Sequence, residues 1–271
     1  MEILEIIGYA TALFIGISLG LIGGGGSILT VPILVYLMGV EAGEYAPAYS
    51  LFIVGGTALI GGLQKYKQGF VDIKTFFVFG IPAIITVYFT RHSLVPFLSE
   101  KVNALGSDPV NDPLWPTVVL GLFATLMVLA SVSMIRGRKG ASETEEQELK
   151  FNYPLILIEG IVVGVVTGLV GAGGGFLIIP ALVKLSKLSM KKAVGTSLLI
   201  IAAKSLFGFI GDVTRLEIDW QMLLIITALA VVGIFVGNAL SKKIPGHKLK
   251  TGFGWFVLIM GVYILGKELL I

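Results

Sequence analysis

Residues Gly20 to Pro32 read GLIGGGGSILTVP, and residues Gly168 to Pro180 read GLVGAGGGFLIIP, at an unbroken offset of 148. In both copies a cluster of glycines interrupts an apolar run, and a short apolar segment carrying a proline follows. Consecutive small residues disfavour helix, so each cluster reads as a break. The match continues outward. Ala12, Gly16 and Gly20 correspond to Gly160, Gly164 and Gly168, one small residue per helical turn. That spacing lets helices approach closely in lipid, where packing drives association. After a one-residue deletion the offset is 147. Ala46 then matches Ala193, Ser50-Leu51 matches Ser197-Leu198, Gly61 matches Gly208, and Asp72 matches Asp219. Duplication of a unit of five segments is the economical account.

Composition says where such a duplicated unit lives. Of the 271 residues, 55% are hydrophobic and only 14% charged. A soluble domain needs more charge than this to cover its surface. The absence of cysteine excludes disulfides and thiolate metal sites, and two histidines make a multi-histidine metal or haem site a poor expectation. A net charge of +3 spread over loops is an orientation signal and not a nucleic-acid footprint. No cofactor and no metal is expected.

Ten apolar segments can be marked, roughly 3–22, 27–39, 46–63, 73–90, 114–135, 153–170, 176–188, 193–211, 218–240 and 249–266. The N-terminus MEILEIIGYA has no basic leader region and reads as a retained first span. The segments after each glycine cluster are too short to cross about 30 Å of hydrocarbon and read as half-helices or re-entrant arms. Residues 1–135 form the first repeat, 136–152 a polar cytoplasmic linker, and 153–271 the second repeat. The stretch Ser93 to Pro113, polar and holding Pro96, Pro109 and Pro113, reads as an excursion outside the membrane.

Lysine and arginine orient the halves. Lys65, Lys67 and Lys74, then Arg136, Arg138 and Lys139, then Lys184 to Lys192, then Lys242 to Lys250 mark four basic loops. The loops 91–113 and 211–219 carry as many acids as bases, or more. Placing the basic loops inside predicts both termini outside and an odd number of crossings per half. The two repeats then have inverted topology. Trp115 and Trp220 fall at outer helix ends, where interfacial tryptophans belong. The expected fold is thus an all-α polytopic membrane protein with two inverted-topology repeats.

Inverted repeats with a broken helix in each half are an architecture of secondary transporters, with substrate bound where the breaks meet. A half-helix beginning inside the membrane points unpaired N–H groups and a positive dipole end at the break. Gly23, Gly24, Gly25, Gly26 and Ser27, facing Gly171, Gly173, Gly174 and Gly175, would offer two opposed sets of donors suited to an anion. The competing reading is that these glycines only permit tight helix crossings. Lys204 lies deep in the eighth segment, where a charge costs at least ~2.5 kcal/mol. It shares a face with Ser197 and Gly208, and Thr57 occupies its position in the first repeat. Lys204 is expected to contact an anionic group, with Ser50, Thr57, Thr196 and Ser197 donating hydrogen bonds. The alternative is a lysine snorkelling to the interface. Glu159 is the candidate to carry a coupling proton, against a reading as an interfacial carboxylate. Gln64, Arg91, His92, Asn238 and His247 lie near segment ends and are expected at the interface.

At the quoted glycine stretches, and at AVGTSLLIIAAKSLFGFIGD with the following IDW, the chain resembles the TauE/SafE family of membrane transporters. That resemblance spans nearly the whole chain. It implies movement of a small anion, such as sulfite or an organosulfonate, with export as the direction. The expectation is a secondary transporter of the bacterial plasma membrane working by alternating access. An anion channel on the same scaffold is the first alternative, and a membrane-embedded enzyme or assembly subunit the second. The expected partners are a small anionic substrate and the lipid bilayer, with no nucleic acid and with homodimerisation left open.

Overall fold

The structure is a computed structural model that describes residues 3–106, 114–135, 153–184, 186, 188–241 and 246–270. The proposed linker 136–152 lies outside the described residues. Every regular element among them is helical. The first half comprises α1 (Ile3–Ile22), α2 (Gly26–Tyr36), α3 (Tyr45–Lys67), α4 (Ile73–Phe89), α5 (Val95–Asn103) and α6 (Leu114–Ile135). The second comprises α7 (Tyr153–Val170), α8 (Gly175–Lys184), α9 (Met190–Val213), α10 (Trp220–Ser241) and α11 (Gly246–Leu270). Five of these stretches are long and apolar enough to cross a membrane, among them α3, α9 and α10. Phe77, Ile81, Ile85 and Phe89 on α4 form an exposed apolar stripe at helical spacing, a surface made for lipid and not for water.

Both short segments are half-length helices that start inside the glycine clusters, α2 with 11 residues and α8 with 10. Helix α4 departs from the expected boundary. It passes through a π-helical turn, Thr90–Leu94, straight into α5. The stretch from Ser93 to Asn103 is therefore helical and not a loop excursion. Apolar residues continue through Leu94, Val95, Phe97 and Leu98, and Pro96 sits in the first turn of α5, directly after the π-helical turn.

The halves interleave. Helix α1 packs on α10 and α7 on α4, α3 on α9, and α6 on α11. Exchanging the halves maps this set of pairs onto itself. The contacts obey the same exchange. A Cβ on Gly16 would overlap the Ala230 carbonyl, while one on Gly164 would lie 2.9 Å from the Ala83 carbonyl. Gly20 meets the Ile234 carbonyl where Gly168 meets Val87 and Thr90. The stripe of small residues thus does bring backbones together, in both halves. Advancing along α1 advances along α10, so these two run parallel. Helices α3 and α9 run antiparallel: Leu51 lies against Gly208, and Gly61 and Gly62 meet Leu198 and Leu199. These two are also the central pair. Their apolar spans are 72% and 67% buried, against 33% for α4 with its α5 extension and 39% for α10.

Candidate functional site

The site is built where the two breaks touch. Gly23 and Gly171 are equivalent positions, and both end their helix with a positive φ, 78° and 71°. Each N–H closes the last helical turn, Gly23 to the Leu19 carbonyl at 2.7 Å and Gly171 to the Thr167 carbonyl at 2.9 Å. Only glycine takes this left-handed conformation without penalty. The chain then crosses to the N-termini of α2 and α8. A Cβ on Gly24 would lie 2.5 Å from the Gly175 backbone, so the clusters meet backbone to backbone. Gly173 faces Ser27, Val54 of α3 and Ile201 of α9. All of Gly23 to Ser27 and Gly171 to Gly175 are buried.

Lys204 reaches this junction from α9. It is fully buried, and its Nζ donates to Oγ1 of Thr167 on α7 at 2.7 Å. A Cβ on Gly174 would lie 3.2 Å from that Nζ. Lys204 therefore does not snorkel. Among the described residues no carboxylate lies within ion-pair reach of it. On α3, Ser50, Val54 and Thr57 fall on one face at helical spacing, the face that Val54 turns toward Gly173. The hydroxyls of Ser50 and Thr57, and that of Ser205 beside Lys204, are buried and lack a hydrogen-bond partner. A buried ammonium with one neutral partner, in a core that also holds three unpaired hydroxyls and the start of α8, is a donor-rich environment short of an acceptor.

The other expected donors are engaged elsewhere. The Ser197 hydroxyl bonds the Gly23 and Val194 carbonyls, both at 2.9 Å, and so fastens α9 to the first break. Oγ1 of Thr196 accepts from the Asp72 N–H at 2.9 Å, and its equivalent, the Tyr49 hydroxyl, accepts from the Asp219 N–H at 2.8 Å. These two residues pin the starts of α4 and α10. Glu159 is half-buried in the second turn of α7, eight residues and thus about 12 Å along the axis from Thr167. The structure does not bring it to Lys204.

Two clusters escaped the sequence reading. Arg91 is not interfacial but fully buried in the π-helical turn. Its Nε donates to Asp212 at 2.6 Å, and its other nitrogens donate to the carbonyls of Gly168 at 3.3 Å and Glu44 at 3.1 Å. Arg215 bridges Asp212 at 2.9 Å and Glu44 at 3.2 Å. Asn238, also buried, donates to Oε1 of Gln64 at 2.7 Å. These pairs close opposite ends of α3. Beside the first lies a cavity of about 220 Å3 lined by Glu41, Glu44, Ser99, Asn103 and Trp115. Trp115 is buried in that wall and not at the interface, whereas Trp220 is half-exposed against Phe52 and Phe209. His92, within the π-helical turn, is exposed and stacks on Tyr88; the side chain of His247 lies outside the described residues.

Lipid-facing helices around a buried polar core with two mid-chain breaks define a multi-pass membrane protein of the transporter class. The chain belongs to the sulfite exporter TauE/SafE family, whose sequence pattern matches residues 9–264. It is similar to a probable membrane transporter protein of Xylella fastidiosa strain 9a5c, 26% identical over 257 residues, covering 94% of this chain and 92% of the relative. It is 25% identical to probable membrane transporter protein MJ0441 of Methanocaldococcus jannaschii over 278 residues, covering 98% and 95%. Probable membrane transporter protein YdhB of Bacillus subtilis is 24% identical over 251 residues, covering 93% and 96%. These names are transporter names and not enzyme names. No solved structure matches the chain.

Proposed function

We propose that the chain is a secondary transporter that moves a small anion, a sulfur oxyanion or organosulfonate, across the bacterial plasma membrane by alternating access. The observation that carries this reading is Lys204: a buried ammonium whose hydrogen-bond partner is a neutral hydroxyl. An anion bound there supplies the missing acceptor. It receives hydrogen bonds from Lys204 and Thr57, with Ser50 on the same face about 10 Å along α3, and it lies near the first-turn N–H groups of α2 and α8, which favour negative charge. The family name supports sulfite or a related oxyanion as the cargo. A carboxylate partner for proton coupling is not part of this reading, and the membrane potential alone drives net export of an anion from a negative interior.

The antiparallel run of α3 and its equivalent α9 supports inverted topology, and the four basic loops favour an orientation with both termini outside. Interleaving bears on which parts move. The rocking bodies are the exchanged pairs, α1 with α10 and α4 with α7, turning about the central α3–α9 pair; the two sequence halves do not move as units.

Counterflow in reconstituted vesicles tests the reading. Vesicles preloaded with unlabelled methanesulfonate or sulfite should accelerate uptake of labelled substrate, and Lys204→Met should abolish the effect. Uptake without trans-stimulation would favour an anion channel on this scaffold. Thermal stabilisation by a cation and by none of sulfite, sulfonates or carboxylates would overturn the anion assignment.

A further inference from the structure

Three charged side chains are fully buried among the described residues: Arg91, Asp212 and Lys204. Arg91 and Asp212 pair at 2.6 Å, so their charges cancel. Arg215 and Glu44, both partly exposed, pair at 3.2 Å at the edge of the same cluster. Among the described residues, Lys204 is thus the side chain that gives the interior a net charge, one positive charge in all.

Lys204 also stands at a special level of the fold. Across the antiparallel α3–α9 pair, Gly55 meets Leu206 and Gly62 meets Leu199. Counting inward from either contact sets Thr57 level with Lys204. These two are equivalents at the offset of 147. Equivalent residues of antiparallel helices come level only where the pseudo-two-fold axis of the repeats crosses the pair, so Thr57 and Lys204 flank that axis. To either side the duplicated chemistry is kept, Ser50 with Ser197 and Gly61 with Gly208. At the axis it departs, with an ammonium opposite a hydroxyl. The surroundings depart with it. A Cβ on Gly174 would meet Thr167 and Nζ of Lys204, whereas one on its equivalent Gly26 would meet Leu19, the equivalent of Thr167. The first repeat fills with hydrocarbon the space that the second gives to its cation.

We infer that the site accepts monoanions and excludes dianions, so that methanesulfonate, bisulfite and other singly charged oxyanions are its substrates and sulfate is not. This rests on the transport reading given above and narrows its substrate class. A monoanion against Lys204 leaves the described interior neutral. A dianion leaves one negative charge buried without a counter-ion, which is the costly case. Thr57 and Ser205 can donate hydrogen bonds, but a hydroxyl carries no charge to set against it. The first turn of α8 offers a partial positive charge, yet α7 ends at the adjoining break and brings the opposite partial charge. One cation therefore sets the valence of the cargo. A strict duplication would have placed two lysines level across the axis, an arrangement suited to a dianion.

Methyl sulfate and sulfate present the same tetrahedron of oxygens around sulfur with one and two negative charges. Methyl sulfate is the larger, so a preference for it is not one of size. Vesicles preloaded with unlabelled methanesulfonate take up labelled methanesulfonate in the presence of either competitor. Methyl sulfate should inhibit at a concentration at least tenfold below that of sulfate. Sulfate acting within threefold of methyl sulfate overturns the valence rule and leaves the transport reading standing. No methanesulfonate counterflow from folded protein overturns the transport reading, and the inference with it. Thr57→Lys sets a second ammonium at the level of the first and should strengthen inhibition by sulfate at least tenfold relative to methyl sulfate. A folded Thr57→Lys protein that still ignores sulfate shows that charge count is not what excludes it, and the inference falls. The competition in the unaltered protein decides the matter if that variant does not fold.

Discussion

Nζ of Lys204 and Oγ1 of Thr167 lie 2.7 Å apart, in a place where neither side chain is accessible to solvent. One neutral oxygen is a thin substitute for the water an ammonium gives up, and the ammonium can donate three hydrogen bonds. The Lys204 ammonium is therefore under-satisfied, and this sets the sign of the first two expectations.

Lys204→Met removes the desolvated charge and keeps the volume. The unliganded protein should melt at a higher temperature, because replacing a buried ionic group by an apolar one of similar size is often neutral or stabilising by about 1–4 kcal/mol. Stabilisation by sulfite or methanesulfonate should vanish, with affinity down at least about tenfold, or ~1.4 kcal/mol. Differential scanning fluorimetry with and without anion reads both at once. A lower melting point with intact anion response would contradict the site.

Thr167→Val takes the single described hydroxyl partner from the ammonium. The empty protein should lose about 1–3 kcal/mol, the cost of leaving a buried polar group unpaired. The anion-induced shift in melting temperature should grow, since the bound anion then satisfies what nothing else does. A reduced shift would mean that Thr167 itself holds the ligand.

Much of this was legible in the chain, and the reasons are local. The two glycine clusters announce their breaks because runs of small residues oppose helix at any depth. Lys204 stands out because lysine at that position is costly unless it is used. The stripe of Ala12, Gly16 and Gly20 shows which face of α1 packs closely, and its copy shows the same for α7. What could not be read depends on partners far away in sequence. Thr196 has the look of a site hydroxyl, yet it accepts from Asp72, 124 residues distant. Arg91 and Asp212 each stand at the edge of an apolar segment, where charge is ordinary; only their pairing across 121 residues makes them buried. The balance of acids and bases in 91–113 and 211–219 was the available signal, and it served orientation instead. Helix α5 was hidden by Pro96, whose meaning reverses between a loop and a first helical turn.

Thr57→Val and Thr196→Val should separate the two kinds of hydroxyl. Thr57 has no partner for its Oγ1, so valine should cost little stability or even raise it, while anion affinity falls by about three- to tenfold. Thr196→Val leaves the Asp72 N–H without its acceptor and should cost about 1–3 kcal/mol. Chemical denaturation of the two variants in one detergent gives the comparison, and equal losses would contradict it.

Gln64→Ala and Asn238→Ala should each destabilise, and the pair should couple. A double-mutant cycle is expected to return about 0.5–1.5 kcal/mol for the bond between them. Additive single effects would show that the 2.7 Å contact contributes nothing of its own.

Gly24→Ala tests the junction directly. Its new methyl would lie 2.5 Å from the Gly175 backbone, with no side chain there to rotate aside. Yield of folded protein should drop sharply, and any protein recovered should fail in counterflow. Normal activity in Gly24→Ala would mean that the clusters do not press together in the working protein.

That same junction has a mechanical meaning. Gly24 and Gly175 form a bearing made of bare main chain. Sliding across it resets no rotamers and strips no interlocked side chains, so it offers little friction and little entropy change. A fulcrum of this kind lets small displacements pass from one half-helix to the other without slack, and the width of one carbon atom is enough to jam it.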